Sequence, residues 1–392
     1  MISMLRRLFR ALPPSIRLPI DRLRDARRQR RDRFDLAALR PHRTFDGRHV
    51  AVAGVFGSGT GLGRAAELVA LSLMGRGSRV TRVDLTAALS LPVQQPDRRC
   101  IAPAECRADD ITDVVIVLNP DQPAWRVFDR DWLLGRTIIG HWIWEIEQFP
   151  AFWQGASVGF DEVWAGTELV LDAIRQSLPW FDRPLRLMPY AIEADPFPPV
   201  EAARRRTVRA REGLTEEIFA VGFSFAASSN YYRKNPEDAV RAFQRAFPDQ
   251  RMVRLLLRCH DLGTRPFERD ALECVIGGDD RIVICDEARR IGMSDFYALL
   301  DVYLSTSRAE GYGLNLVEAA QCGLPVITDG WRLAPEILAL PGVHTVGYTL
   351  EPLRDPQGHY AGIAGATWSR PDVAEMAALL RSLRQKALGA AR

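Results

Sequence analysis

Lysine is almost absent from this chain of 392 residues, although lysine and arginine together number 52. The two lysines are Lys234 and Lys386, so arginine supplies nearly all of the positive charge. The glycine-rich stretch Gly57–Gly63 is followed by Arg64, where a P-loop nucleotidase needs a lysine. The missing lysine excludes the P-loop class, and the rarity of lysine elsewhere draws attention to Lys234.

Cysteine and histidine are also sparse, at six residues each, and neither forms a recognisable cluster. The cysteines include no C-x-x-C pair, and the histidines include no H-E-x-x-H motif. Asp129-Arg130-Asp131 is formally a D-x-D metal motif, but it lacks the surroundings of one. We therefore predict reduced cysteines, a cytoplasmic location and no bound metal.

Long hydrophobic runs are missing, and no uninterrupted apolar stretch has the length needed to span a bilayer. The hydrophobic fraction of 47% and the charged fraction of 26% are ordinary for a soluble globular protein. The length predicts two or three domains, each large enough to bury its own core.

Positive charge is concentrated at the N-terminus. Residues 1–40 contain 12 arginines and 4 aspartates, so the rest of the chain is net acidic. Residues 1–12 place apolar side chains on one side of a helix and three arginines opposite, which suits an anionic membrane surface. A helix docked on the protein itself and a disordered arm are the alternatives. Nucleic acid is a weaker alternative, because the body is acidic. We predict neither a signal peptide nor a nucleic-acid partner.

The stretch Ser305–Thr328 is the most informative part of the sequence. A β-type run leads into a glycine-bearing turn, then a helix, then a second β-type run. Amide groups of such a turn and of a helix N-terminus bind phosphate. Glu310 opens the turn and Glu318 lies in the helix; as carboxylates they repel phosphate but accept hydrogen bonds from hydroxyls. Phosphate flanked by hydroxyl groups describes a nucleotide sugar.

This stretch resembles the signature of the retaining GT-B glycosyltransferases of family four, or "group 1". That signature reads E-G-F-G-L, then E-A-M, then G-x-P-V, and it matches residues 310–314, 318–320 and 323–326 nearly residue for residue. The resemblance covers residues 50–388. It implies an α/β protein of the GT-B fold, with two Rossmann-like doubly wound domains facing a cleft and a C-terminal crossover helix. It implies no cofactor and no metal.

A second motif, residues 226–236, reads AASSNYYRKNP and precedes a helix. Arg233 and Lys234 bring two cations to the start of that helix, which suits a diphosphate. The family reads R-K-N-P here, and its lysine contacts the donor diphosphate. Many relatives also have an arginine five residues before the lysine, where this chain has Ser229. The departure leaves open whether Arg233 or Arg308 supplies the second charge.

The resemblance and the site chemistry together assign a donor site. Glu318 would hold ribose hydroxyls, Glu310 sugar hydroxyls, and the turn amides with Lys234 and an arginine would stabilise the departing diphosphate. The predicted donor-binding residues are Arg233, Lys234, Arg308, Glu310, Gly311, Tyr312, Gly313, Leu314, Asn315 and Glu318.

The N-terminal half opens with a strand over His49–Phe56, the glycine-rich stretch and a helix from Arg64. Gly61-x-Gly63-x-x-Ala66, with Asp84 after the next strand, also fits the dinucleotide fingerprint. An NAD-type enzyme is therefore the rival interpretation of this half. In the glycosyltransferase interpretation, the glycine loop faces the cleft.

The motif HWIWEIEQFP over residues 141–150 resembles a subgroup of the family in which this region lines the acceptor side. His141 is placed just after a strand over Thr137–Ile139, and we consider it a catalytic candidate with Glu310 and Lys234. Core packing is the alternative for the tryptophans. The predicted acceptor or cleft residues are Gly59, Gly61, Gly63, His141, Trp144 and Glu145.

We predict a basic arm over 1–45, an acceptor domain over 46–197, a donor domain over 198–368 and a helix over 369–392 that packs back on the N-terminal domain. The predicted activity is hexosyl transfer (EC 2.4) from a nucleotide diphosphate-sugar, with retention, to a glycan or lipid-linked glycan in bacterial cell-surface polysaccharide assembly. The arm would place it on the inner face of the plasma membrane. A nucleotide-sugar epimerase and a non-catalytic partner subunit are further alternatives.

Overall fold

The computed structural model describes residues 43–120, 127–150, 153, 159–178, 181, 183–286 and 291–390. The predicted arm and its amphipathic helix over residues 1–12 lie outside these residues, apart from positions 43–45. The chain forms two units. The N-terminal unit contains residues 43–196 and Tyr360–Ala364, and the C-terminal unit contains Phe197–His359 and residues 365–390. The division therefore falls beside the boundary predicted near residue 197.

The N-terminal unit alternates short apolar strands with helices. Its elements are β1 His49–Gly54, α1 Gly61–Gly75, β2 Arg79–Asp84, β3 Cys100–Ile101, β4 Asp113–Ile116, α2 Arg130–Leu134, β5 Thr137–Trp142, β6 Glu162–Ala165, α3 Glu168–Ser177 and β7 Leu185–Leu187. The strands form one parallel sheet in the order β3-β2-β1-β4-β5-β6-β7.

The C-terminal unit repeats this alternation. Its elements are α4 Ala202–Arg211, β8 Phe219–Ala226, α5 Tyr231–Lys234, α6 Pro236–Ala246, β9 Val253–His260, α7 Pro266–Ile276, β10 Ile282–Cys285, α8 Met293–Leu299, β11 Val302–Leu304, α9 Leu314–Gln321, β12 Val326–Thr328, α10 Pro335–Leu338, β13 Val343–Thr345, β14 Tyr348–Pro352, β15 Thr367–Pro371 and α11 Val373–Ala390. A parallel sheet runs β10-β9-β8-β11-β12-β13, and β14 pairs with β15 antiparallel.

Both sheets are doubly wound, which confirms the predicted fold class. Each order reverses once, between β1 and β4 in the first sheet and between β8 and β11 in the second. At such a switch point, the loops after two neighbouring strands diverge and leave a crevice at the carboxyl ends. The loops after β8 and β11 carry the predicted donor-binding motifs, so the topology alone brings those two motifs together.

The final helix differs from the prediction. Residues 365–390 belong to the C-terminal unit, because Met376, Ala377 and Leu380 bury the apolar face of α11 against α6. Arg384 of α11 lies over the ring of Phe247, at the end of α6, at 5.9 Å from its centroid. The later segment that joins the N-terminal unit is Tyr360–Ala364, between β14 and β15.

Among the residues that the structure describes, no helix is both long enough and apolar enough to cross a membrane.

Close packing of α1 on β1 explains a glycine in the N-terminal sheet. A Cβ atom added at Gly54 would lie 2.4 Å from the Cβ atom of Ala66, which is fixed on α1. Neither group can move without shifting a strand or a helix, so the position requires glycine.

We therefore expect Gly54→Ala to lower the free energy of unfolding by about 1–3 kcal/mol through overpacking. Gly75→Ala is the matched control, because a Cβ atom there would meet nothing within 4 Å. Urea unfolding of both variants measures the difference. Equal stability of the two variants would contradict this packing.

Candidate functional site

Two left-handed asparagines shape the loop after β8. Asn230 has φ of 74°, and its side-chain oxygen accepts a hydrogen bond from the amide of Arg233 at 2.9 Å. Asn235 has φ of 52° and separates the single turn α5 from α6. Asparagine tolerates this conformation better than most residues. The two reversals confine residues 231–234 to one tight turn, which places Arg233 and Lys234 next to each other at its end.

A distant segment holds this turn in place. Asp355 accepts a hydrogen bond from the side-chain amide of Asn230 at 2.8 Å. Gln357 accepts one from the amide of Tyr231 at 2.6 Å and donates one to the carbonyl of Ala227 at 3.0 Å. Asp355 and Gln357 were not predicted from the sequence, because they lie more than a hundred positions from their partners and belong to no local motif.

The loop after β11 brings a carboxylate to the two cations. Lys234 Nζ lies 2.5 Å from Glu310 Oε1, and Arg233 Nη1 lies 3.5 Å from Glu310 Oε2. Arg233 also donates to the carbonyl of Ala309 at 2.7 Å. Burial tends to raise the pKa of Glu310, but the charges of Lys234 and Arg233 outweigh it and hold the pKa below its usual range. Arg233, Lys234 and Glu310 therefore form a charge cluster of two cations and one carboxylate, with a net charge of +1.

Gly313 ends the turn and begins α9. Its φ is 93°, and an added Cβ atom would lie 3.0 Å from Leu333, so both the backbone and the space require glycine. The residue is the N-cap of α9, whose first amide groups have no partner inside the helix. Residues 311–314 therefore connect Glu310 to the positive end of a helix, which favours a bound anion.

Glu318 lies on α9 and is almost fully buried. Tyr297 donates a hydrogen bond to its Oε2 atom at 3.0 Å. Burial and the charge of Glu318 raise the pKa of Tyr297 well above its usual range, so the phenol stays a donor. Asn315, on the same helix, donates to the carbonyl of Ser224 in β8 at 3.2 Å. The two contacts anchor the predicted ribose-binding part of α9 to α8 and to the sheet.

The structure separates the two candidate arginines. Arg233 lies beside Lys234, and its Nη2 atom donates to the carbonyl and the hydroxyl of Ser229 at 2.8 and 3.0 Å. Arg308 instead donates to Glu351 of β14 at 3.0 Å. Arg233 is therefore the arginine of the charge cluster, and the small side chain of Ser229 leaves room for its guanidinium group.

The glycines of the N-terminal unit do not have the positions in turn and helix that the dinucleotide fingerprint requires. Helix α1 begins at Gly61, so Gly61 and Gly63 belong to the helix rather than to a turn before it. A Cβ atom at Gly63 would lie 2.6 Å from the carbonyl of Val55, which indicates close packing of helix and strand. Gly59 has φ of 64° and lies in the turn itself. The turn is therefore Phe56–Thr60, and the fingerprint spacing is out of register with it.

Asp84, the residue expected to bind the ribose of a dinucleotide, instead accepts hydrogen bonds from nearby residues of the chain. Its Oδ1 atom accepts hydrogen bonds from the hydroxyl of Thr86 at 2.5 Å, from the amide of Thr86 at 3.0 Å and from the amide of Gly57 at 3.3 Å. This carboxylate closes the glycine turn onto the end of β2. Together with the register of α1, it weighs against the NAD-type interpretation.

His141 lies inside β5 rather than after it, because the strand runs on to Trp142. The side chain is fully buried, and no described group meets its ring nitrogens in hydrogen-bonding geometry. Burial lowers the pKa of His141 to about 4, and the main chain of Met188 opposes this only partly. The ring is therefore neutral at physiological pH. The prediction that His141 follows the strand is wrong, and its catalytic role stays a prediction.

Trp144 and Glu145 are engaged in packing. Trp144 is 4% exposed, and its ring centroid lies 4.6 Å from that of Trp153 and 5.2 Å from that of Phe149. Tyr360 packs on Trp144 at 5.3 Å, and its hydroxyl donates to Glu145 at 3.1 Å. The core-packing alternative describes these aromatic side chains better than a sugar-binding surface, because the rings are buried and pack edge-to-face or tilted against one another.

No cluster of three or more histidine, cysteine, aspartate or glutamate side chains that could hold a metal ion occurs within the described residues. That the protein acts without a metal or cofactor stays a prediction.

Comparison with known proteins supports the site-based interpretation. Residues 222–364 match the family model for "Glycosyl transferases group 1". A D-inositol 3-phosphate glycosyltransferase from Xylanimonas cellulosilytica is 28% identical over 185 residues, which is 44% of this chain and 43% of that protein. The chain thus matches less than half of the length of that relative.

Solved structures share the fold at low identity. Alr3699/HepE from Anabaena, in complex with UDP-glucose, superimposes with a TM-score of 0.58 at 14% identity, over 87% of this chain and 90% of its own. Sucrose-phosphate synthase from Thermosynechococcus elongatus superimposes with a TM-score of 0.53 at 16% identity, over 86% and 94%.

The ion pairs of Glu310 in the charge cluster predict a loss of stability when the charge of this residue is removed. Glu310→Gln removes the charge that balances two buried cations, so we expect a loss of about 1–3 kcal/mol at pH 7. Because the pKa of Glu310 is lowered in the folded protein, its contribution is present above its ordinary value of 4.5 and is lost as the pH falls.

Denaturant unfolding at neutral pH and in mild acid measures both effects. Glu217→Gln is the control, since Glu217 is exposed. A loss of stability for Glu310→Gln that is the same in acid and at neutral pH would contradict the charge-balance explanation.

The matched family stretch contains both loops of the charge cluster. The chain shares its overall fold with the superimposed structures of HepE and sucrose-phosphate synthase. Residues 222–364 therefore match the group 1 glycosyltransferase family, and the chain has the GT-B fold.

Proposed function

We propose that this protein transfers a hexose from a nucleoside diphosphate-sugar to an acceptor, with retention at the anomeric carbon. The observation that carries the proposal is the charge cluster at the switch point between β8 and β11. Lys234, Arg233 and Glu310 meet there beside the N-terminus of α9. Cations and helix amides suit the diphosphate, and the carboxylate suits the hydroxyls of a sugar.

Lys234 and Arg233 would stabilise the departing diphosphate. The Lys234 ammonium group has three donors, so it can keep its contact with Glu310 and still donate to a phosphate oxygen. Arg233 is held by the carbonyls of Ala309 and Ser229, which fixes its guanidinium group before the donor arrives. Electrostatic stabilisation by groups that are already in position would be the main catalytic effect.

Two carboxylates would orient the donor. Glu310, close to the cations, would accept hydrogen bonds from the hydroxyls of the transferred sugar. Glu318 would accept bonds from the ribose, and its contact with Tyr297 fixes the direction of the carboxylate. The amides of residues 311–314 would complete the phosphate site between them.

The family resemblance suggests attack on the same face from which the diphosphate leaves, with the leaving phosphate taking the acceptor proton. The position of His141 does not favour a different stereochemical course, because its neutral ring is buried within β5.

For the donor base, the support comes from a structural neighbour. The crystal structures of HepE contain UDP-glucose, or UDP and glucose, so a uridine diphosphate-sugar is the first donor to test here. For the acceptor, we propose a glycan or lipid-linked glycan of a bacterial cell surface, with the basic arm on the inner face of the plasma membrane. The burial of Trp144 removes one argument for that acceptor and leaves the composition of the arm.

A thermal-shift panel with UDP, GDP, ADP, NAD and NADP tests the donor class. We expect one nucleoside diphosphate to stabilise the wild type, by about 2.7 kcal/mol at 100 times its Kd. Glu318→Gln should reduce this shift, because a neutral amide accepts weaker hydrogen bonds from ribose hydroxyls. Stabilisation by NAD alone, unchanged in the variant, would overturn the proposal.

The two lysines of the chain allow a matched comparison. Lys234→Ala should weaken binding of the diphosphate found in the panel at least tenfold, or about 1.4 kcal/mol, because it removes a cation from the phosphate site. Lys386→Ala removes the same charge from an exposed position on α11 and should leave the affinity unchanged. Isothermal titration calorimetry measures both, and equal affinities would remove Lys234 from the site.

A further inference from the structure

A second carboxylate lies close to the charge cluster. Asp329 directly follows β12, the strand next to β11 in the sheet, and is 5% exposed. Its Oδ1 atom accepts a hydrogen bond from the amide of Trp331 at 3.0 Å. Within the described part of the chain, no lysine, arginine or histidine forms an ion pair with it. An ionised carboxylate without a counter-charge is costly to bury.

The other oxygen of Asp329 contacts a serine that has two acceptors. Ser369, on β15, is fully buried, and its Oγ atom is within hydrogen-bonding distance of Asp329 Oδ2. The same Oγ atom lies 2.8 Å from the carbonyl oxygen of Arg308. A hydroxyl group has one hydrogen and can donate it once. The carbonyl has no hydrogen to give, so both contacts are hydrogen bonds only if Asp329 supplies the second proton.

We propose that, in mild acid, Asp329 is protonated in the folded protein and donates to Ser369, whose hydroxyl in turn holds the carbonyl of Arg308 and so positions Glu310. Asp329 is thus a positioning residue that acts through Ser369 and the main chain. Its effect on the donor rests on the function proposed above, whereas its protonation does not.

The main chain around Arg308 connects Ser369 to the charge cluster through hydrogen bonds. The carbonyl of Arg308 also accepts from the amide of Ser369 at 3.0 Å. The amide of Arg308 donates to the carbonyl of Arg233 at 2.8 Å. Arg233 then donates to the carbonyl of Ala309. The segment before Glu310 is therefore fixed from β15 on one side and from α5 on the other.

The charges around Asp329 favour the protonated form. Burial raises the pKa of Asp329 to about 6, and the negative charge of Glu310 adds to this, while hydrogen bonds from Ser369 and Trp331 oppose it only partly. The nearby Arg308 directs its guanidinium group to Glu351, so it does not neutralise Asp329. A bound diphosphate would bring further negative charge and favour the proton more.

Unfolding across pH tests the proton without any substrate. A raised pKa means that the stabilisation is complete below the ordinary value of 3.8 and is lost as the pH rises to about 6. Asp329→Asn keeps a donor for Ser369 and cannot ionise. The Tm of Asp329→Asn minus that of the wild type should therefore increase from about pH 4 to about pH 6 and stay constant above.

Asp280→Asn, at an aspartate whose side chain is 79% exposed, is the control and should show no such increase. A Tm difference for Asp329→Asn that is independent of pH would overturn the proposal. Infrared difference spectroscopy of wild type minus Asp329→Asn gives a second readout. We expect a carboxylic acid C=O band at about pH 5 that is lost at about pH 8. A carboxylate band at both pH values would overturn the proposal.

The positioning role has its own test. At about pH 5, UDP affinity, or the affinity for whichever diphosphate the panel identifies, should be kept within twofold in Asp329→Asn and fall at least fivefold in Asp329→Ala and Ser369→Ala. Circular dichroism establishes that the variants are folded. Equal losses in the asparagine and alanine variants would refute positioning through a proton donor. If no nucleotide binds at all, the proposed function fails, and the unfolding and infrared results still decide the protonation.

Discussion

The fold of the C-terminal unit depends on balancing charges that its own topology buries. At the switch point between β8 and β11, Arg233 and Lys234 have little access to water, and each needs a nearby carboxylate or carbonyl group. Glu310 meets both, but only if the two loops close on each other. The left-handed turns at Asn230 and Asn235 make that closure geometrically feasible. An anionic ligand would share the same two cations, so structure and binding rest on one set of charges.

The groups around this cluster hold its loops and helices in place. Asp355 and Gln357 bind the turn of α5, and Ser369 binds the carbonyl before Glu310. Tyr297 and Asn315 fix α9 in the same way. Such a shell keeps charged groups in position before a ligand arrives, which lowers the reorganisation needed during a reaction.

The sequence predicted the parts of the site that are local. The alternation of strands and helices, the glycine turn at Gly313 and the convergence of Lys234 with Glu310 follow from patterns a few residues long, combined with the switch-point rule. Asp329 and Ser369 were out of reach, because their contact joins residues 40 positions apart without a motif. The burial of His141 and Trp144 was out of reach for another reason: the same residue types occur in cores and in ligand sites, and only packing distinguishes the two.

The segment Tyr360–Ala364 belongs to the N-terminal unit, although the segments before and after it belong to the C-terminal unit. This assignment affects how the protein can be divided. Over residues 43–390, the chain passes from one unit to the other after Pro196, after His359 and after Ala364. A fragment that starts at Phe197 carries Tyr360 away from Trp144 and Glu145, and it leaves an open gap in the aromatic cluster. Exchange of one unit between relatives therefore requires grafting two separate stretches of chain, and a single-cut chimera loses a hydrogen-bonded tyrosine.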